Sequence, residues 1–229
     1  MKIDLKKYMN ERDQLRSSSK VPGPVITISR EYGCGGTALA KKFIEAISGG
    51  ENNNSKKQPW SIINKEVLTL SAQDLKVTPK RIEKSVETLE VNAVEELLTS
   101  LSPHYELTDK RIHQTVADVV TDLAKKGHVI IIGRGAAGMV KNIAQSLRIK
   151  LIAPLEWRIR SVCKKRLVSE EEAKQRIAEM DPKRDQWNKL LNYGKFGNGL
   201  FDILFNRMLM TDDEIISTMK GLALKRGLI

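Results

Sequence analysis

Residues 25–48 contain the feature that most restricts the fold: an apolar strand, a glycine-rich turn and an amphipathic helix follow one another directly. Val25 to Ile28 is a short apolar run of the kind that forms a buried strand. After the turn, apolar residues recur at four-residue spacing and so share one face of a helix: Leu39, Phe43 and Ile47. A strand that leads in this way into a packed helix predicts an α/β fold.

The turn has the composition of a phosphate-binding loop. Glycines allow the backbone to adopt positive φ angles and let a phosphate approach the amide groups closely. The N-terminus of the following helix adds a dipole that favours an anion. We therefore expect the loop residues to bind the phosphates of a nucleotide: Gly33, Cys34, Gly35, Gly36 and Thr37.

This loop departs from the Walker A pattern, G-x-x-x-x-G-K-[ST], at two of its defining positions. With Gly35 as the second glycine, Arg30 replaces the first glycine and Gly36 replaces the lysine. Thr37 keeps the hydroxyl that binds Mg²⁺ in such loops, so it is the expected metal ligand. We hypothesise that Arg30 supplies the missing cation and acts in catalysis, because a guanidinium pairs well with phosphate oxygens.

The rest of the chain alternates between predicted strands and helices. Further strands are expected at Trp60–Ile63, His128–Ile132, Leu147–Ile152 and Phe201–Phe205, and Leu155–Arg166 is expected to be a helix. Strands separated by helices predict a parallel sheet with right-handed crossovers.

Capping signals mark several helix starts. Asp181 followed by Pro182 predicts that one helix ends and another begins there, because aspartate is a favoured N-cap and proline a favoured first residue. Capping boxes are predicted for Ser169 with Glu172 and for Thr211 with Glu214.

Composition excludes several classes of function. The two cysteines form no C-x-x-C pair and the three histidines lack metal-ligand spacing, so neither a disulfide framework nor a metal-centred hydrolase is expected. No apolar stretch is long enough for a membrane helix and the N-terminus does not resemble a secretory signal, so a cytoplasmic protein is expected. The net charge of +11 leaves three interpretations open: solvated helix faces, a small polyanion such as a nucleotide, and, as the weakest, nucleic acid.

Four segments together resemble the cytidylate-kinase-like family of P-loop proteins: ITISREYGCGG, then GRG after a buried strand, then APLEWRIRSV, then SEEEAKQRI. The resemblance spans about residues 24–220 in the same order. It implies a three-layer α/β/α P-loop fold with a parallel sheet, a helical monophosphate-binding insert at about 65–126 and a helical lid at about 168–199. Residues 1–23 would form an N-terminal helical arm and linker, and residues 24–229 the kinase-like domain.

The resemblance also implies an activity and a set of residues. The expected reaction transfers the γ-phosphoryl group of ATP to CMP, dCMP or a related acceptor, with Mg²⁺. Arg134 would hold the acceptor phosphate, and the ends of parallel strands are independently where ligands bind in α/β sheets. Asn64 stands on the acceptor side where the family usually has aspartate. Arg176 and Arg184 lie in the lid and would neutralise charge on the transferred group.

Two alternative functions are also compatible with the sequence. The missing lysine favours a nucleotide-binding or regulatory module without catalytic activity. The basic helices leave nucleic-acid binding as a weaker third function, which predicts a steep salt dependence of affinity. The N-terminal helix and a helix around residues 82–100 are compatible with a homo-oligomer and equally with packing inside one chain.

Overall fold

One parallel sheet forms the centre of the described structure. The structure is a computed structural model that describes residues 23–48, 58–82, 109–191 and 197–229. Within these ranges the strand order is β2-β3-β1-β4-β5, and every neighbouring pair is parallel. The strands are β1 Val25–Arg30, β2 Ser61–Ile63, β3 Val129–Ile132, β4 Ser146–Ile152 and β5 Ile203–Asn206.

Helices cover both faces of this sheet, which confirms the predicted three-layer α/β/α architecture. They are α1 Gly36–Ser48, α2 Glu66–Leu75, α3 Asp109–Lys126, α4 Ala136–Met139, α5 Leu155–Arg166, α6 Glu170–Leu191 and α7 Asp212–Lys225. A short 3₁₀ helix at Gly197–Leu200 precedes β5.

Alternate residues of the strands enter two separate cores. Val25, Val129 and Ile131 pack with the apolar residues of α2 and α3 on one face. Ile26, Ile28 and their neighbours pack with α1 and α7 on the other face. Since side chains alternate between the faces of a strand, strands buried on both sides must be apolar throughout, as β3 is.

The sheet places the end of β1 at the centre of the carboxyl edge. Strands β2 and β3 lie on one side of β1, whereas β4 and β5 lie on the other. The direction in which the chain adds strands therefore reverses beside β1. Ligands of open α/β sheets bind at such a reversal, outside the carboxyl ends of the strands.

The predicted elements agree with the structure to within a few residues. The predicted helix Leu155–Arg166 has the observed bounds, and the capping box of Thr211 and Glu214 is complete. At α6, Ser169 Oγ accepts the amide of Glu172 at 3.2 Å, but the Glu172 carboxylate pairs with Arg176 instead. Strand β1 extends two residues beyond the prediction, so Arg30 is its last residue.

The predicted break at Asp181 and Pro182 is wrong, because α6 continues through Pro182 to Leu191. A proline inside a helix removes one hydrogen bond and costs about 3 kcal/mol. Asp181 does not cap a helix, since its carboxylate accepts the amide of Tyr32 at 2.7 Å and pairs with Arg158. Tertiary contacts thus keep α6 continuous at a point where the local sequence favours a break.

The predicted N-terminal arm, apart from residue 23, and most of the predicted helix at 82–100 lie outside the described residues. In the part of the chain that is described, no helix combines the length and apolar character needed to cross a bilayer.

Asp202, before β5, makes stability depend on pH. The Arg148 backbone amide donates to the Asp202 carboxylate at 2.7 Å, and Nη1 of Arg226 lies 3.1 Å from Oδ2 of the same carboxylate. Burial by itself raises the pKa of Asp202, but hydrogen bonds from Arg148 and Arg226 outweigh it and lower the pKa to about 2. An unfolded aspartate titrates near pH 4, so this stabilisation is complete above about pH 4 and is lost as the pH falls through about 2.

We therefore expect Asp202→Asn to be less stable than the wild type at pH 7, with a difference that shrinks as the pH falls below about 4. Urea unfolding at a series of pH values measures this, with Asp213→Asn, at an exposed carboxylate of α7, as the control. A difference that stayed constant down to pH 3 and below would contradict the assignment.

Candidate functional site

A cleft of about 510 Å³ opens at the carboxyl edge of the sheet, beside the end of β1. This volume is within the range of small-molecule sites. Among the described residues, its lining includes one acidic side chain, Glu31, and seven basic ones: Arg30, Lys65, Arg134, Lys165, Arg166, Lys183 and Arg184. A cleft with this charge balance attracts anions.

The predicted phosphate loop forms one wall of the cleft. Gly33, Gly35, Gly36 and Thr37 line it, and α1 begins at Gly36. The first amides of a helix have no partner within the helix, so they are available to an anion. Neighbouring elements hold the loop in place: Ser161 Oγ donates to the Gly33 carbonyl at 2.8 Å and Arg207 Nε to the Cys34 carbonyl at 3.1 Å.

Gly33 is required by both its conformation and its surroundings. Its φ is +96°, and an added Cβ would lie 3.0 Å from the Arg158 carbonyl oxygen and 3.1 Å from the Arg158 Cβ. Left-handed backbone costs an L-residue roughly 1–2 kcal/mol, and overpacking typically adds about 1–3 kcal/mol.

We expect Gly33→Ala to lower the free energy of unfolding by about 2 kcal/mol or more. Gly199→Ala is the matched control, because nothing lies within 4 Å of its added Cβ. Equal urea midpoints for the two variants would show that Gly33 has no such requirement.

Arg30 lies beside the position of the missing lysine. A Cβ added to Gly36 would be 3.6 Å from the Cγ and Cδ atoms of Arg30, and the Arg30 guanidinium lies against Gly133. The side chain forms no ion pair with any described residue. Burial, then the neighbouring charges of Arg184 and Arg134, lower the pKa of Arg30 to about 9, so it remains charged at neutral pH.

Arg134 and Arg184 reach the same cleft from different elements. Arg134 follows β3 and has a φ of +58° between two glycines that also have positive φ. Arg184 comes from α6, donates to the Arg30 carbonyl at 3.1 Å and lies 5.1 Å from the centre of the Tyr32 ring. Burial is the main cause that lowers the pKa of Arg184. Three predicted arginines are thus brought together.

The other predicted residues differ in their placement. Asn64 and Thr37 line the cleft. Cys34 is fully buried, packs in the core and does not line the cleft; burial raises the pKa of its thiol to about 12, so it stays protonated. Arg176 is also absent from the lining and pairs with Glu172 at 2.6 Å. A catalytic role for Arg176 stays a prediction.

A set of contacts that no sequence pattern predicted joins the predicted lid to the loop. Arg158 pairs with Asp181 and also donates to the carbonyls of Tyr32, at 3.4 Å, and Ala153, at 3.1 Å. The Asp181 carboxylate accepts the Tyr32 amide. We call Tyr32, Arg158 and Asp181 the lid latch. Asp181 lies three residues before Arg184 in the predicted lid, where the sequence pattern indicates a helix cap instead of a contact with the loop.

Oxygen ligands suited to Mg²⁺ are few in the described part of the cleft. Thr37 offers a hydroxyl, whereas the Glu31 carboxylate already accepts the amide of Ala153 at 2.9 Å. No group of three or more His, Cys, Asp or Glu side chains among the described residues is arranged to hold a metal ion. Magnesium commonly keeps several waters and binds through substrate phosphates, so the donors fit an ion that arrives with a nucleotide.

The chain is similar to one protein family and to several solved structures. The model of the cytidylate kinase-like family matches residues 25–207. An uncharacterized protein from Eubacterium ventriosum superposes with a TM-score of 0.59 at 18% identity, covering 88% of this chain and 98% of that one. Shikimate kinase from Bacteroides thetaiotaomicron gives a TM-score of 0.45 at 14% identity over 87% of this chain and 97% of that chain. Shikimate kinase from Acinetobacter baumannii gives 0.45 at 11% over 95% and 99%. No curated protein matches the sequence.

Proposed function

This chain belongs to the cytidylate kinase-like family, and we propose that it is a nucleotide kinase that transfers the γ-phosphoryl group of ATP to a nucleoside monophosphate. CMP and dCMP are the acceptors we propose first. The observation that carries the proposal is the convergence of Arg30, Arg134 and Arg184 on a glycine-rich loop in one cleft. Three elements that are far apart in the sequence supply these cations.

The cleft contains groups for both substrates. The amides of the loop from Gly33 to Thr37 would hold the phosphates of ATP. Arg30 would assist them, because it lies beside Gly36, which occupies the position of the Walker A lysine. Arg134 and Asn64 would hold the acceptor at the ends of β3 and β2. A bound nucleotide would bring Mg²⁺, which neutralises phosphate charge and would be held by Thr37.

Arg184 would stabilise the charge that develops during transfer. Phosphoryl transfer involves little covalent chemistry by the protein, so catalysis depends on positioning and on preorganised positive charge. Arg184 is held at the loop by its bond to the Arg30 carbonyl and by the lid latch. The helix that carries it would exclude water from the reacting phosphates.

A screen of nucleoside monophosphates tests the proposal. The purified chain is incubated with ATP and Mg²⁺, and ADP release is measured with CMP, dCMP, UMP, AMP and GMP in turn. We expect acceptor-dependent ADP formation, fastest with a cytidine nucleotide. If no monophosphate stimulates ADP release above the rate with ATP alone, the kinase proposal is rejected.

A catalytically silent nucleotide-binding module is the second candidate, and Gly36 in the lysine position favours it. Loss of a single transition-state contact to phosphate lowers rates by orders of magnitude, at about 1.4 kcal/mol per tenfold. This alternative predicts that ATP raises the melting temperature while no acceptor is phosphorylated. A measurement of acceptor phosphorylation therefore distinguishes the two candidate functions, whereas a measurement of ATP binding does not.

A further inference from the structure

A second cation lies over the phosphate loop and comes from helix α5. A Cβ added to Gly35 would lie 2.9 Å from the Nζ atom of Lys165. The ammonium group therefore lies next to Gly35. In the alignment with the Walker A pattern, Gly35 is the residue just before the lysine position. Lys165 also lines the cleft.

Helix α5 presents one face to the loop, and this face fixes the position of Lys165. Arg158 Nη1 donates to the Tyr32 carbonyl at 3.4 Å, and Ser161 Oγ donates to the Gly33 carbonyl at 2.8 Å. Lys165 follows Ser161 by four residues, and residues spaced three and four apart share a helix face. Successive loop residues are thus contacted by successive turns of the helix.

No ion pair with a described residue satisfies the charge of Lys165. Asp212, a carboxylate that acts on it electrostatically, is already bonded to Lys42 at 2.7 Å and to Arg207. Burial, and then the nearby charge of Arg207, lower the pKa of Lys165. A phosphate bound in the loop would supply a negatively charged partner for the Lys165 ammonium group.

We propose that Lys165 takes the place of the Walker A lysine, and that its ammonium group binds the nucleotide phosphates from helix α5 instead of from the loop. Arg30, at the end of β1, and Lys165, on α5, would then contact the phosphates from two different elements. This inference rests on the proposed nucleotide-binding function. It assigns a binding role to a residue outside the loop motif.

The test measures binding and does not depend on turnover. Dissociation constants of ATP, inorganic tripolyphosphate and adenosine are determined by calorimetry in EDTA for the wild type and for Lys165→Met. We expect ATP and tripolyphosphate to bind about tenfold to hundredfold more weakly to the variant, the range for a lost hydrogen bond between charged groups. Adenosine binding should not change.

Two further variants distinguish a phosphate contact from a general effect of charge. Lys41→Met removes the same charge from an exposed position on α1 and should leave all three constants unchanged. Lys165→Arg should restore most of the phosphate affinity, because it keeps a cation at the same place.

The outcomes separate this inference from the proposed function. If the wild type binds neither ATP nor tripolyphosphate in EDTA, the role of Lys165 is rejected, and if ATP with Mg²⁺ does not bind either, the proposed function is rejected as well. If the wild type binds them and Lys165→Met matches both the wild type and Lys41→Met, only the role of Lys165 is rejected. A loss that is equal for adenosine and tripolyphosphate would also reject it, because the effect would then not involve phosphate.

Discussion

Replacing Arg30 with methionine is expected to weaken ATP binding by about tenfold to hundredfold and, at the same time, to raise the melting temperature of the ligand-free protein. The loss of affinity follows from removing a charged partner of phosphate, which contributes about 1.5–3 kcal/mol. The gain in stability follows because burial and two neighbouring arginines disfavour the charged side chain, as its lowered pKa shows. Methionine has a similar length and carries no charge.

Calorimetry with ATP and thermal unfolding without ligand measure the two effects. Arg81→Met removes the same charge at an exposed position and should change neither. A variant that lost ATP affinity because it was misfolded would melt at a lower temperature, so the opposite directions of the two effects exclude that explanation. Unchanged ATP affinity in Arg30→Met would show that Arg30 does not contact the nucleotide phosphates.

The fold could be predicted because its signals are local. Val25 to Ile28 and the apolar face of α1 follow from side-chain periodicity, which is set by backbone geometry alone. The glycines of the loop have positive φ angles at Gly33 and Gly35, as a turn directly after a buried strand requires. The order of strands in the sheet could not be read from periodicity, because it depends on which helices cover which face.

The site could be predicted only in part. Arg134 and Arg184 were expected from motifs, and the structure brings both beside Arg30. Lys165 could not be selected from its neighbours Lys164 and Arg166, since successive helical residues point about 100° apart and only tertiary packing decides which of them meets the loop. The same reason accounts for Asp181, whose partners Tyr32 and Arg158 are distant in sequence.

Replacing Asp181 with asparagine is the second change with a large expected effect, because it removes the ion pair of the lid latch. Asparagine keeps the shape of the side chain but loses the ion pair with Arg158, whose side chain is only 11% exposed. Removing one partner of a buried ion pair costs about 3–5 kcal/mol, and the partial exposure of Asp181 reduces this to about 2 kcal/mol. We expect the free energy of unfolding to fall by this amount.

Hydrogen exchange then locates the effect, because the amides of α6 should exchange faster in Asp181→Asn while those of β1 change less. Glu179→Gln is the matched control: it is the same type of substitution in the same helix, but it breaks an exposed pair with Lys183 worth about 0.3–0.5 kcal/mol. Arg184 lies one turn of α6 beyond Asp181 and depends on the same helix for its place at the Arg30 carbonyl. The latch therefore holds the helix segment that carries Arg184, and identical exchange of α6 in the two variants would show that the Arg158–Asp181 pair does not stabilise this segment.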